Sequence, residues 1–461
     1  MFQRLSSLPW LPVILVIAFT VRMGAAVVVQ KRVGQSGSLC LIAGDAEGYW
    51  MLARHIAQGE DFAIYDPPRY VERMPGFPLL LAAGMKLFGE NVLAMRLLLA
   101  AVGTVACGLV YWLGRELFDH TTGLIASLIA ALSPTFVAFS VLLLSETLFA
   151  MTLLASLIAL ARLVRSGQVD SDTGSPRLSQ LPACDIVEFA RIQAVSTTPE
   201  LWRVRLRREF SRIVPALVAG LLCGVATLVR PTWILVAPAF AAIYVLQTRS
   251  GARRFVAAGW LLAGLALVLG PWTIRNGLVT GHFVPTTLWM GPSLYDGLSP
   301  QATGDSNMKF VEMDGLYSQH DMPDFEFQAN SHYRKAALDF AWHNPGRAIE
   351  LGCHKLWRFV NPFPNAAQFG HWAVWWGVGL FEAPVLLLAA AGACKRQCAC
   401  GSWRSTLWPL ILTAGPALYF AMVHTVFVGS VRYRLPAEYA LLVLTAVGIR
   451  WLAERLVRPT P

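Results

Sequence analysis

The chain has 461 residues, of which 55% are hydrophobic and only 14% charged, and its mean hydropathy is +0.51. A soluble domain carries about 25% charged residues, so an ordinary cytosolic enzyme, a disordered chain and a nucleic-acid-binding module are excluded. Lys and Arg number 38 against 28 Asp and Glu, a formal charge of +10, and in a membrane protein such an excess belongs to cytoplasmic loops.

A bilayer core about 30 Å thick needs roughly 20 apolar residues at 1.5 Å each. In chain order, spans are expected at 8–29, 93–114, 121–140, 144–163, 213–229, 232–247, 255–272, 371–393, 406–427 and 435–452. They must be helices, because backbone groups cannot stay unpaired in lipid, so the expected class is all-α. The first span has no small-residue cleavage site close behind it and reads as an uncleaved anchor. With the N-terminus inside, Arg115, segment 164–212, Lys395 and Arg450 fall in the cytoplasm, as the positive-inside rule asks. The opposite side then holds two long segments, 30–92 and 273–370. The chain divides into an N-terminal transmembrane module over 1–272, an outer segment over 273–370 and C-terminal transmembrane helices over 371–461.

Several cations sit on the side that should lack them: Arg73, Arg230, Arg275, Lys355, Arg358, Arg432 and Arg434. A charge near the membrane is costly unless paired or solvated, and any one of these can snorkel to headgroups. Together they suggest an anionic ligand at the outer surface, and a lipid phosphate presents its charge at that depth. Arg432-Tyr433-Arg434-Leu435-Pro436 is the sharpest case, because guanidinium groups clamp phosphate bidentately.

Two acids stand out. Gly44-Asp45-Ala46-Glu47-Gly48-Tyr49-Trp50 opens the first outer segment. A helix is expected from Ala46 to Gln58, stopped by Gly59, with Tyr49, Leu52, Ala53 and Ile56 on one interfacial face. Asp45 is its expected N-cap and also a carboxylate facing the cations. Glu47 reads as a first-turn acid that favours the helix dipole. Glu146 begins a strongly apolar span, where an acid is paired, functional or a helix-start residue. Asp170-Ser171-Asp172 reads as a polar loop, not a nucleotide-sugar site. Cys394, Cys398 and Cys400 lack zinc-site spacing, and there is no phosphate-binding Gly-rich Lys-Ser/Thr loop.

In order, these motifs resemble the GT-C superfamily of polyprenyl-phosphate-sugar-dependent glycosyltransferases, and most of all the bacterial relatives of protein O-mannosyltransferases and lipid A aminoarabinose transferases. The residues that carry the resemblance are Asp45-Ala46-Glu47-Gly48-Tyr49, Arg73-Met74-Pro75-Gly76-Phe77-Pro78, Ser133-Pro134, Ser145-Glu146, Arg230-Pro231-Thr232, Pro271-Trp272 with Arg275-Asn276, and Arg432-Tyr433-Arg434-Leu435-Pro436. Where many members have Asp-Glu, this chain has Asp45-Ala46, so a second adjacent acid is missing. The resemblance implies a catalytic Asp, carried over to Asp45. It also implies a multi-pass protein of the cytoplasmic membrane with an extracytoplasmic site.

On that basis the expected reaction is inverting transfer of a sugar from an undecaprenyl-phosphate-linked donor to a hydroxyl or amine of an acceptor glycan, lipid or protein. Asp45 is the general base, and Glu146 orients a cation or a divalent metal. Arg275, Arg432, Arg434, Lys355 and Arg230 hold the donor phosphate, while Tyr49, Arg73 and Tyr433 line the substrate. No nucleotide is expected. The competing reading is a transporter or flippase of a lipid-linked sugar, which would need discontinuous spans or repeated halves.

Overall fold

The structure, a computed structural model, describes residues 10–36, 44–172, 199–248, 251–318, 324–365, 371–399 and 403–457, with side chains omitted at Ser36, 168–172, 199–211, 396–399 and 403–406. The centre of the expected cytoplasmic loop (173–198), the side chains of Asp170–Asp172 and of the basic run at 203–208, and Cys398 and Cys400 lie outside the described side chains.

The helices, in order, are α1 (Trp10–Ser36), α2 (Asp45–Gln58), α3 (Gly76–Phe88), α4 (Val92–Leu117), α5 (His120–Leu132), α6 (Pro134–Phe139), α7 (Glu146–Asp172), α8 (Pro199–Val229), α9 (Val236–Gln247), α10 (Arg253–Thr280), α11 (Met290–Gly297), α12 (Lys309–Met313), α13 (Phe325–His343), α14 (Pro345–Val360), α15 (Trp372–Ala399), α16 (Trp403–Thr413), α17 (Gly415–Val426) and α18 (Val431–Val457). Among the described residues the β-structure is one isolated bridge, Ile64 with Arg69.

Among the described residues six helices are long and apolar enough to cross a membrane, within α1, α4, α7, α8, α10 and α15; α16 and α17 together make a seventh bent by 51°. Three expected spans look different. Residues 121–140 break at Ser133-Pro134, where Ser133 caps α6 and Pro134 takes its first position. Residues 232–247 shorten to α9 behind a 3₁₀ turn. The last span is α18, a helix of 27 residues, about 40 Å at 1.5 Å per residue, with Arg432, Arg434 and Glu438 in its first turns. The outer segment 30–92 also contains an apolar helix, α3, that the span count did not include.

α7 forms the axis of the bundle: 83% of its most apolar stretch is buried, against 22% for α1. It packs on α4, α8 and α18, while α10 packs on α8 and α15 on α18. Small residues set two of these crossings. A β-carbon on Gly220 would lie 2.0 Å from the Leu261 carbonyl oxygen, and one on Gly264 would lie 2.5 Å from that of Leu217. Gly392 and Gly448 face each other's helices at 2.1 Å in the same way. Such close backbone approach is how helices associate where apolar burial offers no drive.

The two long segments meet at one end of the bundle. Val71 packs with Val284 and Leu288, and Glu326 of α13 accepts from the backbone N–H groups of Tyr70 and Val71, each at 3.0 Å. Arg275 donates to the carbonyls of Tyr70 (2.6 Å) and Phe62 (3.2 Å).

Candidate active site

α2 starts one residue earlier than the sequence suggests. Gly44 is the cap, with φ of 86°, and the Glu47 carboxylate accepts from the Gly44 N–H at 3.4 Å. Asp45 is therefore the first helical residue and not the N-cap: a glycine tolerates the left-handed φ that the turn demands, which leaves the Asp45 carboxylate for other partners. Those partners are cations. Arg73 donates to one oxygen at 2.7 Å and Arg432 meets the other at 2.8 Å. The stop at Gly59, with φ of 81°, is as expected.

Arg432 reaches onward to Glu146, where Arg230 also arrives at 2.6 Å. Glu146 is the first residue of α7, a position that the helix dipole favours for an acid. Both arginines use its Oε1, and Oε2 has no hydrogen-bond partner among the described residues. Arg230 also donates to Ser145 at 3.1 Å, and the Tyr49 hydroxyl donates to Ser145 at 3.4 Å. Tyr49 lies under the Arg73 guanidinium at 5.0 Å. Tyr433 lies 5.8 Å from that of Arg230 and is stacked on His424 at 4.4 Å. The structure thus brings Asp45, Tyr49, Arg73, Glu146, Arg230, Arg432 and Tyr433 into one network spanning α2, α7, α18 and two loops.

With Glu72 on Arg73 and Arg69 on Glu72 included, four guanidinium groups stand against three carboxylates and leave one net positive charge in a largely buried place, which suits an anion. Exposure separates the acids. The Asp45 side chain is 34% exposed and Glu146 is not exposed at all, so an incoming molecule reaches the first and not the second. Burial raises the Asp45 pKa, but Arg73 and Arg432 outweigh it and hold the carboxyl well below the usual range.

Three expected phosphate ligands are not part of this network. Arg434 is buried, pairs with Glu438 and donates to the carbonyls of Phe359 (2.7 Å) and Asn361 (3.0 Å). Lys355 is fully buried and donates to the carbonyls of Val426 (2.7 Å) and Thr425 (3.2 Å), capping the end of α17; burial lowers its pKa to about 8. Arg275 spends its donors on the Tyr70 and Phe62 carbonyls. Exposed backbone oxygens at helix ends and loops attract cations just as phosphate does, and a sequence does not show which of them a cation will meet. Arg358 likewise pairs with Asp305 at 2.8 Å.

For a divalent metal the donor set does not fit. The two carboxylates carry guanidinium groups, and no three His, Cys, Asp or Glu side chains converge among the described residues.

The structure also shows residues that sequence reasoning missed. Arg22 lies fully buried in α1 and donates to the last carbonyls of α5, Ala130 and Ala131. Glu72 pairs with Arg69 at 2.8 Å and Arg73 at 3.6 Å. Glu382 accepts from Thr135 at 2.8 Å deep between helices. A charge inside an apolar run was the available signal for Arg22 and Glu382.

A family model described as dolichyl-phosphate-mannose-protein mannosyltransferase matches residues 68–171. No curated protein sequence matches the chain. Among solved structures, the apo oligosaccharyltransferase of Archaeoglobus fulgidus aligns over 99% of this chain and 53% of its own, at 14% identity and TM-score 0.55. The same organism's oligosaccharyltransferase AglB, in complex with an inhibitory peptide and a dolichol-phosphate, aligns over 98% and 52%, at 14% identity and TM-score 0.53. ArnT from Cupriavidus metallidurans, bound to undecaprenyl phosphate, superposes more loosely: it covers 97% and 77%, at 14% identity and TM-score 0.40. The chain spans about half the length of the archaeal oligosaccharyltransferase it resembles. The expected all-α architecture is borne out: the chain is a multi-pass membrane protein with the fold of these archaeal oligosaccharyltransferases, and the mannosyltransferase family model matches within it over residues 68–171.

Proposed function

We propose that this protein is a membrane glycosyltransferase that moves a sugar from a polyprenyl-phosphate-linked donor to an acceptor hydroxyl or amine, at the extracytoplasmic face of the cytoplasmic membrane. The observation that carries the reading is the single network in which Arg73 and Arg432 hold the partly exposed Asp45 while Arg432 and Arg230 share the buried Glu146.

The chemistry follows from those contacts. The lipid phosphate takes the place of Asp45 on Arg432, with Arg230 beside it, while Glu146 stays in place and keeps both guanidinium groups oriented for a charged oxygen. Losing Arg432 returns basicity to Asp45. The acceptor oxygen then attacks the anomeric carbon, its proton passes to Asp45, and the bond from that carbon to the phosphate oxygen breaks. One displacement inverts the configuration. The leaving group is already a stable anion, so guanidinium charge serves it better than a proton donor. Glu146 acts as a positioning residue, because it is sealed from the acceptor.

The test is titration of the purified full chain in nanodiscs with undecaprenyl phosphate, together with a transfer assay on membranes that supply donor and acceptor. Wild type should bind the lipid and transfer sugar. Asp45→Asn should bind and not transfer. Retained transfer in the Asn variant would remove Asp45 as the base, and lipid affinity unchanged in Arg432→Gln would remove the phosphate site.

A further inference from the structure

Beside the network lies a cavity of about 560 Å³ that the reaction described above does not use. Met51 and His55 of α2 form one wall, and Ile64, Tyr65 and Tyr70 of the following loop form another. Glu60, Asp61 and Asp66 supply its charge, and no lysine or arginine lines it.

We propose that this cavity is the acceptor subsite and that it takes a neutral oligosaccharide; the inference rests on the glycosyltransferase reading and names its acceptor class. Three observations carry it. First, position: Met51 and His55 are six and ten residues along α2 from Asp45, about 9 and 15 Å at 1.5 Å per residue. At 100° per residue they sit about 120° and 80° round the helix from Asp45, so a molecule seated there leaves the phosphate site free and would reach the base by bending round α2 past Gly48. Second, connection: Tyr65 lines the cavity, yet its hydroxyl and the Arg73 guanidinium converge over Gly48, at 3.4 and 3.6 Å from where a β-carbon there would stand. One ring thus separates the cavity from the cation that holds Asp45. Tyr65 is also the one non-glycine residue with positive φ, 70°, among the described residues. Third, chemistry: tyrosine faces pack against sugar C–H surfaces, carboxylates accept from sugar hydroxyls, and the acidic lining repels phosphorylated or carboxylated acceptors. An exposed basic peptide would meet the carboxylates but would leave the apolar walls unused.

The full chain in nanodiscs is probed on an array of neutral, carboxylated and phosphorylated oligosaccharides and, separately, with a tetralysine peptide. Binding of undecaprenyl phosphate is followed in parallel. Met51→Trp fills the cavity from a partly exposed position, and Asp66→Asn alters its charge. The expected result is binding of neutral glycans that falls at least tenfold in Met51→Trp. Binding of anionic glycans only, of tetralysine only, or of no ligand overturns the proposal, as does neutral-glycan binding that Met51→Trp leaves intact. Lipid binding separates the two readings. Neutral-glycan binding at the cavity without undecaprenyl phosphate binding sinks the donor assignment alone. Lipid binding without glycan binding sinks the subsite alone.

Discussion

Asp45 carries a guanidinium on each oxygen, which makes it a good hydrogen-bond acceptor and a poor base until one cation is drawn away. Substitution by Asn preserves the acceptor geometry on one side and abolishes proton uptake, so Asp45→Asn should lower transfer by roughly 10²- to 10⁴-fold with lipid affinity maintained. Rates measured at saturating donor check this. Arg432 and Arg434 are two positions apart yet meet different partners, Asp45 and Glu146 for the first, Glu438 and two carbonyls for the second. Arg432→Gln should weaken undecaprenyl phosphate binding at least tenfold. Arg434→Gln frees Glu438 and the carbonyls of Phe359 and Asn361, so its loss should appear as a lower melting temperature with phosphate affinity preserved. Parallel binding and melting curves separate them, and a phosphate-affinity loss in Arg434→Gln would return that residue to the donor site. In the sequence both arginines looked alike, because a short stretch of letters does not say which way each side chain turns from the first turn of α18.

At the level of elements, several contacts join the loop that carries Arg73 to segment 273–370, and one of them holds a titratable group. Glu326 of α13 holds the backbone of Tyr70 and Val71, three and two residues before Arg73. Burial lifts its pKa from the ordinary 4.5 to about 7, against the pull of those two N–H groups. The folded state therefore binds a proton that the unfolded state releases, and stability should fall as pH rises from about 4.5 to about 7. Glu326→Gln cannot titrate and should flatten that part of the melting profile; an unchanged slope would show that another group sets it. The glycine crossings make a second case. Gly448→Val forces a side chain onto the Leu388 carbonyl, and overpacking typically costs about 1–3 kcal/mol. The variant should melt earlier, while Arg432, 16 residues and about 24 Å away along the same helix, keeps its contact with Asp45 and the protein its lipid affinity.

For the whole molecule, gathering both long segments at one end commits the protein to a sidedness that can be tested. If that end faces outward, a membrane-impermeant maleimide applied to intact cells labels Cys353 of α14 and leaves Cys394, near the far end of α15, unlabelled; both thiols are exposed on the protein surface. Peptide mapping of the label reads the result, and labelling of Cys394 alone would reverse the orientation.

The apolar runs by themselves determined the class, most of the membrane helices and the order of the motifs, because a lipid core allows only internally bonded segments of a certain length. They also placed Asp45, Glu146, Arg230 and Arg432 as candidates, since an acid or a cation at a span end must answer to something. Tertiary structure alone decided who answers to whom. It broke the 121–140 run at Ser133-Pro134, gave the cap of α2 to Gly44 so that Asp45 could meet Arg73 and Arg432, and turned Lys355, Arg275 and Arg434 toward backbone carbonyls. The physical reason is that hydropathy and helix length are local and additive along the chain. The partner of a charge inside the bundle depends on residues as far as 387 positions away, as Arg432 is from Asp45, and is fixed only when the helices pack.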